Sequence, residues 1–223
     1  MKINNNKIQN LSHGFTLAEV LITLVIIGIV AALTISAVIN TYVERSTVTK
    51  LKKCVSTLAQ AKRLAETKHG PVETWDVTSG SGTYTVNFMN YLKPFILMAK
   101  DCNTSTTCVS NSTFKHLNGT TYGDIHKAAY YRFLFPDGSL LYIGAFGGNW
   151  CSRTDGNVPN SCALIWYDAD GPKGSATIGK DLFILEFARN GIFPYLSNDC
   201  RKNSYGYGCA SYIIKNSDMK YLH

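Results

Sequence analysis

Three groups of residues in this 223-residue chain have types and spacings suited to chemistry. The first is a single carboxylate. Glu19 is the only charge between Phe15 and Ile39, in an otherwise apolar run. A carboxylate at membrane depth costs about 2.5–3.5 kcal/mol or more and usually has a reason to be there. The second group is acidic. In "WYDADGPKGSATIGKDLF" (166–183), Asp168, Asp170 and Asp181 cluster around glycines. Flexible, oxygen-rich loops suit calcium, although no third Asp or Asn precedes the glycine and no glutamate closes the loop as in an EF-hand. The same Asp-Gly pattern is also ordinary turn chemistry between two strands. The third group is six cysteines in near neighbours: Cys102 and Cys108, Cys151 and Cys162, Cys200 and Cys209, with Cys54 left over. Six cysteines allow 15 pairings, and spacing alone does not choose among them; local pairing is the reading adopted.

Other chemistry is excluded or weakly supported. Gly174 to Lys180 matches the start of a phosphate-binding loop, but Asp181 stands where Ser or Thr should hold magnesium, and a strand pattern follows instead of a helix. No His-Glu-x-x-His, Gly-x-Ser-x-Gly or Cys-x-x-Cys occurs, so neither a catalytic motif nor a zinc spacing is present. His116 and His126 flank a loop with Asp124 and are expected to be solvated. The chain does not read as an enzyme.

The elements that must position these groups are legible in outline. The run from Phe15 to Ile39 is about 37 Å long as a helix, enough to cross a bilayer. Beyond it Val48, Leu51, Val55, Leu58, Ala61 and Ala65 recur at spacings of three and four, one apolar stripe of a helix. No proline precedes Pro71, and Gly70-Pro71 is a stop signal. One helix is therefore expected over 15–68, apolar all round in its first half and amphipathic in its second. Residues 86–99 hold a short helix interrupted at Pro94, and 103–121 read as a surface loop. "YYRFLF" (130–135) and "SLLYIGAF" (139–146) flank a Pro136-Asp137-Gly138 turn, and 163–168 and 181–188 are further strands. Long helix, then antiparallel sheet, is an α+β order.

Lys2 and Lys7 precede the apolar run with no acid beside them, which favours a cytoplasmic N-terminus and an exported remainder. Disulfides belong in such an oxidising compartment. The net charge of +7 becomes +5 once residues 1–14, with their two lysines, are removed. Lys50, Lys52 and Lys53 form one basic cluster, Arg201 and Lys202 another. No aromatic stacking platform is legible beside either, so nucleic acid is not an expected partner.

A secretory signal would place its small residue after the apolar region; here Gly14 comes before it. The stretch "GFTLAEVLITLVIIGIVAAL" (14–33) resembles the N-terminal segment of type IV pilins and type II secretion pseudopilins. The resemblance implies a leader, 1–14, removed by a prepilin peptidase between Gly14 and Phe15. It also implies N-methylation of Phe15 and an assembly role for Glu19, facing the Phe15 amine of a neighbour. The implied layout is a transmembrane and filament-core half, 15–39, an amphipathic half, 40–69, and an extracytoplasmic domain, 70–223. The implied fold is pilin-like α+β, a long helix on a small antiparallel sheet. Implied partners are further pilins or pseudopilins, the peptidase, an inner-membrane assembly platform and membrane lipid. The alternative is a minor pilin that binds DNA, a surface or a secreted substrate. The acidic loop loosely resembles the calcium loop of the major pseudopilin. One departure from the family is "ALTISAVI", with Ser36 where many relatives have proline, so local melting of the helix during assembly is not implied here.

Overall fold

A computed structural model describes residues 14–79, 83–108, 113–123, 125, 129–148 and 150–223. The leader residues 1–13, with Lys2 and Lys7, lie outside them, as do Asp124 and His126. The chain divides into two compact units, Met1–Val43 and Glu44–His223.

The first unit contributes the start of helix α1 (Leu17–His69). Its side chains from Leu17 to Val43 are almost all exposed, including Leu21, Ile22, Ile26, Ile29 and Leu33. By length and composition this is a helix able to cross a membrane. No proline or glycine pair interrupts it, and α1 continues unbroken to His69. The helix stops where expected: Gly70 adopts a left-handed conformation (φ 84°) and its amide closes on the Glu66 carbonyl at 2.9 Å.

In the second unit the remainder of α1 buries Val48, Leu51, Cys54, Leu58, Ala61 and Ala65. Cys54, rather than Val55, takes the inward position, and Val55 packs at the margin. The partner surface is a seven-stranded antiparallel sheet. Its strands are β1 (Lys100–Asn103), β3 (Tyr131–Leu134), β4 (Leu140–Ala145), β5 (Arg153–Asp155), β6 (Val158–Asp168), β8 (Leu182–Ala188) and β9 (Gly191–Pro194), after the short helix α2 (Tyr84–Leu92). The spatial order is β1-β3-β4-β6-β8-β9, with β5 on β6. The expected hairpin is the β3–β4 pair, and Gly138 supplies the positive φ its turn requires.

Both faces of this sheet are covered. Leu141, Ile143, Ile165, Tyr167, Leu185 and Phe187 share a core with α1, while Leu140, Tyr142, Trp166, Leu182 and Ile184 belong to a second core. Strands buried on two faces lose the polar alternation, which is why "LFILEFA" reads as one apolar run. The second core is roofed by Phe114, Ile125, Ala176 and Ile178. Phe114 lies in β2 (Phe114–Lys115), which pairs in parallel with β7 (Ala176–Thr177). The expected loop over 103–121 therefore contains a strand, because Phe114 needs cover that only the sheet offers. The short middle helix starts earlier than its pattern, on an N-cap at Thr83, and ends before Pro94, which sits in a 3-10 turn, Lys93–Phe95. The C-terminal stretch forms α3 (Cys209–Asn216), with Cys209, Ala210 and Ile213 buried.

Candidate functional site

The start of α1 is built by its own sequence. Thr16 stands just before the helix, and its amide and hydroxyl both donate to Glu19 Oε2 at 2.8 Å. The Glu19 amide donates back to Thr16 Oγ1 at 3.2 Å. This is a reciprocal capping box, in which Thr and Glu three residues apart satisfy helix-end amides that have no partner within the helix. The Glu19 carboxylate also lies at the positive end of the helix dipole. Thr16-x-x-Glu19 was visible in the sequence, but the apolar surroundings drew attention to the carboxylate alone. Phe15 is 87% exposed. Gly14 is exposed as well, and a side chain there would meet nothing within 4 Å.

Residues 9–35 match the family model described as the prokaryotic N-terminal methylation motif. The chain carries the type IV pilin and pseudopilin signature. No curated protein and no solved structure matches it. Within the signature lie Gly14, Phe15, Thr16 and Glu19, so the capped turn and the recognised motif are the same residues. The long helix on a small antiparallel sheet is the α+β, pilin-like layout that the resemblance implies.

The acidic loop is partly assembled. Asp168 is 1% exposed at the end of β6. Its Oδ1 accepts the Gly171 amide at 3.1 Å, and its Oδ2 is buried without a hydrogen-bond partner. Burial, then the neighbouring Asp170 and Asp181, push its carboxyl up to about 9. Asp181 accepts the Thr177 amide, and burial raises it to about 6. Asp170 is exposed. Among the described residues, no three His, Cys, Asp or Glu side chains converge as a group that could hold a metal ion. The phosphate-loop look-alike is confirmed as strand: β7 and β8 occupy it, and no helix follows Lys180.

The cysteines close three local loops, Cys102–Cys108, Cys151–Cys162 and Cys200–Cys209. Cys54 is buried and unpaired, and burial, then Asp137, push its thiol well up; a buried apolar thiol of this kind is inert. The first basic cluster is spent within the unit. Lys50 donates to the Ala169 carbonyl at 2.8 Å, Lys52 to Ser217 Oγ at 2.5 Å, and Lys53 pairs with Asp137 at 3.2 Å. His116 is 8% exposed rather than solvated, because Tyr122, Tyr205 and Tyr207 close around its ring at 4.6–5.5 Å.

Proposed function

We propose that this chain is a prepilin-like structural subunit. It is cut between Gly14 and Phe15 by prepilin peptidase, N-methylated at Phe15, and assembled into a type II secretion pseudopilus or type IV pilus-like filament. The methylation motif over residues 9–35 carries this reading. The glycine supports it independently. Nothing in the fold crowds a side chain at position 14, so the demand for glycine comes from outside the chain, as a peptidase subsite would impose. In the filament, Glu19 meets the Phe15 amine of a neighbouring subunit, and apolar side chains of α1 exchange lipid for helix contacts. A buried charge is tolerable when paired and expensive when alone, so the pair favours one axial register. The membrane is the inner one, with the N-terminus cytoplasmic and residues 70–223 outside. Gly14→Leu is the test: the mass of the purified chain should remain that of the precursor, and a normal mature mass overturns the processing step.

Calcium is a second proposal, resting on the unpartnered Oδ2 of Asp168. The ion would be held by Asp168 and Asp170, with Asp181 adding charge, and would supply fixed positive charge that orders the loop between β6 and β8. A proton satisfies the same oxygen, so the two occupants are separable by experiment.

A further inference from the structure

We infer that the disulfide-closed loop 200–209 is a binding surface for single-stranded nucleic acid, with Tyr205 stacking on a base and Arg201 and Lys202 meeting its phosphates. Of the two basic clusters, this is the one left unspent. Arg201, Lys202 and Asn203 are exposed, and among the described residues neither cation enters an ion pair. The loop itself holds no acid; Asp199, half-buried at its margin, is the nearest in sequence.

The aromatic platform missing from the sequence is present in three dimensions. Tyr205 is 53% exposed. Its ring stacks on Tyr207 with centroids 6.0 Å apart and planes 21° apart, and the His116 ring abuts it at 4.6 Å. Tyr207 is backed in turn by Tyr195 and Tyr122. The ring is therefore fixed, and fixed rings lose little entropy on binding.

The backbone is fixed too. Ser204 Oγ accepts the amides of Arg201 at 3.1 Å and Gly206 at 3.2 Å. The amides of Leu117 and Asn118 donate to the Tyr205 and Ser204 carbonyls at 3.3 and 2.9 Å. Gly206 takes a φ of 87° against the Ile178 carbonyl, a place no side chain fits. Cys200–Cys209 closes the base. Lys115, exposed, lies one residue before His116 and adds positive charge to the same segment.

Cations beside a stacked aromatic are the combination that binds single strands without sequence preference: phosphates find charge and any base finds a ring. A neutral glycan would use the ring but not the cations, and a duplex would not expose a base to Tyr205.

The test is fluorescence anisotropy of the detergent-solubilised full chain with labelled oligothymidylate across a salt series. Native protein should bind at low salt. Tyr205→Ala should weaken binding about 5- to 150-fold, the range of one lost base stack, while Tyr205→Phe binds as native. Arg201→Gln with Lys202→Gln should flatten the slope of log affinity against log salt by about 0.7 per cation; both side chains are exposed, so this variant keeps the fold. Absence of binding at low salt, full affinity in Tyr205→Ala, or preference for a duplex or a polyuronate over oligothymidylate each overturns the assignment. Processing and filament yield are read separately, so this outcome is distinct from that of the subunit reading.

Discussion

Thr16 and Glu19 hold each other across the first turn of α1, two donors of one meeting a single carboxylate oxygen of the other at 2.8 Å. Glu19 is thus satisfied within its own chain before any neighbour arrives. Assembly, on the proposed reading, exchanges that partner for the amine of an adjacent subunit. Glu19→Ala should be processed normally, by mass, yet yield no sheared filaments; a normal yield overturns the pairing. Thr16→Ala removes the cap and should destabilise the helix start by about 0.5–2 kcal/mol, without blocking cleavage.

Calcium and a proton compete for Asp168 Oδ2. If calcium binds, Asp168→Ala and Asp170→Ala should lower Tm in calcium and not in chelator. At a hundredfold excess over Kd the ion adds about 2.7 kcal/mol. An equal loss in both buffers assigns the loop to plain turn chemistry.

Glu186 offers a pH test away from that loop. It is fully buried on β8, with Oε2 accepting the Ser161 hydroxyl and Oε1 unpartnered. Burial, against the opposing Ser161 hydrogen bond, and with Asp155 adding to it, raises its carboxyl to about 8. A carboxyl raised on folding stabilises while protonated. That contribution is whole below the ordinary value of about 4.5 and is lost as pH rises through about 8. Asp168 acts in the same direction, towards about 9. In chelator, Tm should therefore fall from mildly acidic to mildly alkaline pH. Glu186→Gln should flatten the fall, raising Tm at the alkaline end by about 2–4 °C per kcal/mol recovered. An unchanged pH profile overturns the assignment of Glu186 as a buried acid.

Leu58 is 1% exposed at the centre of the stripe that α1 gives to the core. Leu58→Ala should cost about 2–5 kcal/mol by transfer and cavity terms, read from denaturant melts. A loss under about 0.5 kcal/mol, the usual bound for a surface change, would mean that this stripe does not pack.

Local signals were legible and long-range ones were not. The 3.6-residue stripe, the Gly70-Pro71 stop and the Pro136-Asp137-Gly138 turn are each encoded within a few residues, and each lies where the pattern puts it. The cysteines paired with their sequence neighbours. Strands β2 and β7 have two residues each and exist only because they meet each other and the second core, so no periodicity could announce them. The eight-residue α3 is too short for a clear pattern. Tyr205 and His116 are neighbours only because Leu117 and Asn118 bond to the loop beyond Cys200. Thr16 is different: its Thr-x-x-Glu spacing was in plain view.

The two cores of the sheet divide what the chain is free to change. One face is bound to the rod, so its residues must keep faith with a helix whose other duties are set elsewhere. The opposite face is roofed by short pieces from 114–125, 176–178 and 195–207, and answers to nothing but itself. A lineage could rewrite that roof, and with it whatever the surface meets, while every subunit still fitted the same shaft.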